Sequence, residues 1–76
     1  MNKSRQNKLD KLISQLESIK EKLEEIKFDE QEYFDNLSDN QQDSEKGESS
    51  QNAIDQMEDA ISYFENIIDP ITSLNN

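Results

Sequence analysis

The chain has 76 residues, 34% of them charged and 30% hydrophobic, and it contains no histidine, cysteine or tryptophan. Residues 1–27 carry seven basic side chains against five acids, whereas residues 28–76 carry Lys46 alone against thirteen acids, which gives the net charge of −10. Such a chain has no disulfide framework and no thiolate metal site, and its acidic half repels nucleic acid and anionic membrane while attracting basic protein surfaces.

The first residues, Met1 to Lys8, are basic like the start of a signal peptide, but no apolar segment follows them. No stretch approaches the roughly 18 apolar residues of a spanning helix. The expectation is a single cytoplasmic domain over residues 1–76. Composition by itself leans toward disorder, and hydrophobic periodicity argues the other way. Leu9, Leu12, Leu16, Ile19, Leu23 and Ile26 recur at alternating spacings of three and four, the a/d pattern of a coiled coil. With neither glycine nor proline in the way, the spacing predicts one helix over 3–36. Glu30 falls on the same phase and is expected to mark the end of the apolar seam, since an unpaired buried carboxylate is costly.

Residues 37–43 are turn and cap formers and read as a connection, in which Ser38 and Gln41 match a capping box around one short turn. A second helix is expected over 44–69, with Glu45 in its positive first turn. Its stripe is Ile54, Met57, Ile61, Phe64 and Ile68; continued backwards, it reaches Gly47 and Ser50, small residues expected to admit the bulky Tyr33 and Phe34. Pro70 lacks the donor a helix interior needs, so residues 70–76 are expected to form a tail or short turn.

The fold class that follows is all-α, an antiparallel hairpin of two helices. A second helix ending at residue 69 covers only the later part of the first. Leu9, Leu12, Ile13, Leu16 and Ile19 are therefore expected to serve self-association, as a dimeric helical bundle or coiled coil.

Little here suggests catalysis: acid–base work would fall to carboxylates, lysine or tyrosine, and no nucleophile motif or phosphate-binding glycine loop is present. No cofactor and no enzymatic activity are expected. Residues 39–48 alternate oxygen-bearing side chains like a calcium loop, but Ser44 stands where the turn glycine belongs and Ser50 where the bidentate glutamate belongs. The main functional candidate is an acidic face for a partner protein, with Asp35, Asp39, Asp43, Glu45, Glu48, Asp55, Glu58 and Asp59, and with Tyr63 as an aromatic anchor.

Three segments carry a resemblance: Asp29-Glu30-Gln31-Glu32-Tyr33-Phe34-Asp35-Asn36-Leu37, Gln42-Asp43-Ser44-Glu45-Lys46-Gly47-Glu48, and Ala53-Ile54-Asp55-Gln56-Met57-Glu58-Asp59-Ala60-Ile61. Together they resemble a pattern of small acidic helical proteins of bacteria and their phages. The chain departs from it at Ser38, where proline is expected, and at residues 49–52, where such proteins are more acidic and richer in alanine. The resemblance implies a helical hairpin of mobile-element type, a setting in which small inhibitors of host defence are found, and it carries over no catalytic residue. The functional expectation is a protein-binding inhibitor or regulator acting on a basic, nucleic-acid-binding host surface. The competing expectation is a structural, self-assembling helical bundle whose charge keeps it soluble.

Overall fold

The computed structural model describes residues 2–74 and is an all-α hairpin 58 Å long and about 15 Å across. Helix α1 spans Lys3–Asp35, α2 is the single turn Asp39–Gln42, and α3 spans Glu45–Leu74. Helix α1 begins under an Asn2 cap, whose side-chain oxygen accepts from the Arg5 amide at 2.9 Å. The two long helices lie antiparallel, with α2 closing the end between them.

The connection is built as the capping pattern predicts. The Ser38 hydroxyl accepts from the Gln41 amide at 3.3 Å, and the Gln41 side chain accepts from the Ser38 amide at 3.1 Å. A second device ties this turn to α1. The Gln42 side-chain amide donates to the carbonyls of Phe34 (3.1 Å) and Leu37 (3.4 Å), so a side chain from α2 adds a second bond to the Phe34 carbonyl, which already accepts from the Leu37 amide, and engages the Leu37 carbonyl just past α1.

The seam between the long helices differs from the a/d reading. On α1 the half-buried row is Leu9, Ile13, Leu16, Lys20, Leu23, Lys27, Glu30 and Phe34, spaced four-three-four-three. Leu9, Leu16 and Leu23 belong to both patterns, but Leu12, Ile19 and Ile26 are 42%, 49% and 57% exposed. Two lysines take part because their methylene stems cover apolar surface while their ammonium groups reach carboxylates across the hairpin. The α3 row, from Gly47 and Ser50 through Ile54, Ile61 and Ile68, follows the predicted stripe. Among the described residues, only two large apolar side chains are buried, Ile54 and Ile68. Glu30 does not end the seam. It accepts a hydrogen bond from the buried Ser50 hydroxyl at 3.1 Å, which supplies the partner that a carboxylate needs there.

Two further expectations are corrected. Helix α3 does not stop at residue 69 but runs through Pro70 to Leu74. Pro70 removes one rung, the bond to the Asn66 carbonyl, and the helix resumes at once with the Thr72 hydroxyl donating to the Ile68 carbonyl at 2.8 Å. As a result α3 nearly matches α1 in length, and Leu74 lies beside Leu9. Gly47, in turn, is required first by the neighbouring turn, ahead of the aromatics of α1: the atoms nearest to a Cβ there belong to the backbone of Gln42, which it would overlap.

This close approach predicts the sign of one substitution. Alanine at position 47 is favoured over glycine by about 1 kcal/mol in a helix interior. The overlap with Gln42 is expected to outweigh that gain, so that Gly47→Ala lowers stability by about 1–3 kcal/mol. Urea unfolding followed by circular dichroism measures this, with Ser49→Ala, at an exposed position, expected to be near neutral.

Candidate functional site: an acidic helix face

Helix α3 carries seven acids, Glu45, Glu48, Asp55, Glu58, Asp59, Glu65 and Asp69. Counted along the 3.5-residue repeat of the seam, they occupy three adjacent heptad positions, confined to roughly 100° of the circumference relative to α1. That arc starts at the edge of the α1–α3 seam, with Glu58 and Glu65, and turns outward to solvent. The exposed Ser49, Gln56 and Tyr63 lie beyond it and bring no acid. Glu45 and Glu48 stand in the first turn of α3, where the helix dipole favours negative charge.

The inner border of the acidic arc fixes the hairpin register. Lys20 Nζ lies 3.2 Å from Glu65 Oε1, and Lys27 Nζ lies 3.3 Å from Glu58 Oε1. The lysines are one heptad apart on α1 and the glutamates one heptad apart on α3, so both bridges form in a single antiparallel register. Lys20 also meets Glu24 at 3.8 Å along its own helix. Its hydrogen bond to Glu65 raises the Lys20 pKa above the ordinary 10.5, opposed by partial desolvation and reinforced by the charges of Glu65, Glu24 and Glu17. On this side Glu17, Glu21 and Glu24 of α1 line a shallow groove with Lys20, Glu65 and Asp69. Carboxylates from both helices therefore flank it.

The acidic set read from the sequence is wholly exposed but does not form one patch. Asp35, Asp39, Asp43, Glu45 and Glu48 gather at the turn end, at the end of α1, in α2 and in the first turn of α3. Asp55, Glu58 and Asp59 lie midway along α3. Asp35 and Asp55 accept hydrogen bonds from Gln31 and Gln51 of their own helices, each at 3.0 Å. Tyr63, 66% exposed, stands about 40° round the helix from Asp59, at the border of the acid-free side. Of the self-association set, Leu9, Ile13 and Leu16 are half-buried on the α1 row that faces α3, while Leu12 and Ile19 remain exposed.

Sequence reasoning missed the roles of Lys20 and Lys27. Their signal was present, since a seven-residue spacing of lysines matches a seven-residue spacing of Glu58 and Glu65. Asp69 belongs with the acidic face by the same periodicity, one turn beyond Glu65. Among the described residues, no group of three metal-binding side chains converges to hold a metal ion, and no helix is long and apolar enough to cross a membrane. No protein-family model, curated protein or solved structure matches this chain.

The Lys20 pair carries a pH signature. Because the folded-state pKa is raised, its contribution is fully present at neutral pH and is lost as pH rises through the folded value, above 10.5. Urea midpoints at pH 8 and above pH 11 are expected to fall further for the native chain than for Lys20→Met. Equal falls would show that the bridge does not contribute.

Proposed function

We propose that the chain is a binding module that uses the acidic side of α3, with Glu17, Glu21 and Glu24 of α1, to occupy a basic surface of another protein and so inhibit or regulate it. One observation carries this reading: the arc is of a single sign. A surface charged only for solubility mixes signs, whereas the chain beyond residue 27 sets thirteen acids against Lys46. Basic surfaces that otherwise hold nucleic acid suit such a face. Carboxylates fall about every 6 Å along α3, and about every 4 Å with the three α1 acids, against roughly 1.7 Å per charge in duplex DNA. The face thus comes nearer to the charge spacing of a single strand than to that of a duplex. Blocking by this means is steric and electrostatic, and it weakens as salt rises.

A second reading rests on the exposed Leu12, Ile19 and Ile26: a structural bundle whose acids serve only to hold its surface in water. The two readings separate on charge reversal. Glu58 is unsuitable for this because it bridges to Lys27, so the test uses Asp55→Lys with Asp59→Lys. Immobilised native chain is expected to retain a basic protein from a bacterial lysate at low salt and to release it to high salt and to single-stranded DNA. The double variant is expected to keep its helicity and retain nothing. Retention that survives the reversal contradicts the acidic-face reading and favours the structural one.

A further inference from the structure

The hairpin has a second side, opposite the lysine bridges. On α1, Leu12, Ile19, Ile26 and Tyr33 form a row exactly one heptad apart, each more than 40% exposed. On α3, Ala53, Ala60, Ile67 and Leu74 form another row of the same spacing, with Ile67 and Leu74 exposed. Since Lys20 and Lys27 meet Glu65 and Glu58 on one side of the seam, helix geometry places both apolar rows on the other. Tyr33 accordingly borders one surface depression with Lys46, Ser49 and Ser50, and Leu74 borders another with Arg5 and Lys8. Glu45, at the turn end, is the α3 acid that reaches this side, beside Tyr33 and Lys46; the row from Ala53 to Leu74 holds none.

We infer that this face is the seat of a second copy of the chain, packed about a two-fold axis that crosses the hairpin at its middle. Three features select a copy as the occupant. The first is register. The α1 row is centred between Ile19 and Ile26 and the α3 row between Ala60 and Ile67, and the two lysine bridges straddle the same level. One axis therefore bisects both rows. The second is shape and charge under that axis. It sets α3 antiparallel on its copy, so that Ala60 opposes Ile67 and Ala53 opposes Leu74, small against large. It also sets α1 antiparallel on its copy, bringing the Lys8 and Lys11 end of each over the Glu32 end of the other. The third is area. A face 58 Å by 15 Å presents on the order of 800 Å² per copy, the amount a stable protein–protein interface needs from each side. The resulting four-helix bundle covers the half-buried Met57, Phe64 and Ile71 and leaves the two acidic arcs on opposite outer sides. The assembly does not depend on what those arcs bind.

Sedimentation equilibrium of the full chain, from micromolar to millimolar, tests this. The native chain is expected to reach twice the chain mass. Ala60→Glu, which puts a carboxylate in the acid-free row, is expected to weaken association by more than about tenfold. Asn52→Glu, on the acidic side, is expected to leave it unchanged. A chain that stays single to millimolar concentration overturns the proposal and assigns the face to a different partner. So does a dimer that Asn52→Glu breaks and Ala60→Glu does not. Should Ala60→Glu fail to fold, peroxide oxidation of Met57 in the native chain, referenced to free methionine, decides the matter. Oxidation that slows as the chain associates supports the face; oxidation that ignores association places the contact elsewhere.

Discussion

Two helices share a single line of contact, and every other property of this molecule depends on how little that line buries. A bundle of three or four helices can surround a core; a hairpin cannot. Here the line is thinner still, because Lys20, Lys27 and Glu30 occupy positions that a self-sufficient seam would give to leucine. Each is answered across the hairpin, by Glu65, Glu58 and Ser50 in turn. The exchange gives up apolar burial and gains register, since a slip of α3 along α1 would break both bridges and leave Glu30 without its donor. For so small a chain, with two large apolar side chains buried among the described residues, a further contact surface is the natural source of stability.

From that constraint the two sides of the hairpin acquire different characters. The bridge side carries the carboxylates of α3 outward and draws the glutamates of α1 toward the same groove. The opposite side keeps apolar rows on both helices at one heptad spacing, with Glu45 at the turn end as the α3 acid that borders it. Charge and apolarity are thus sorted around α3, and the sorting allows the two sides to serve separate contacts. Salt affects them in opposite senses. It screens attraction to a basic target, while it relieves repulsion between two acidic copies.

Much of this fold was legible in the sequence. The apolar period located both helices, and Ser38 with Gln41 announced the short turn between them, because these signals are local. What escaped was tertiary. The repeat from Leu9 to Ile26 looked like one seam, yet the hairpin divides it: Leu9, Leu16 and Leu23 face α3, and Leu12, Ile19 and Ile26 face outward. Periodicity alone could not choose, because a lysine counts as polar until its stem and its partner are known. Pro70 misled for a related reason. It costs one hydrogen bond, which is enough to suggest an end but not enough to stop a helix whose Ile71 remains on the seam. Gln42 gave no warning at all, since an amide that reaches back to Phe34 and Leu37 follows no spacing rule. For the acidic site, the exposure of the residues was readable and their sorting into an arc on α3 was partly so. The division between the turn cluster and that arc required the structure.

The central claim is that this hairpin is held folded by association as well as by its own seam. Thermal unfolding, followed by circular dichroism over a hundredfold range of chain concentration, tests it most directly. If the account is right, the midpoint rises steadily with concentration, because unfolding and dissociation are linked. A midpoint that does not move, with helicity intact at the lowest concentration, would contradict it: the single seam would then suffice.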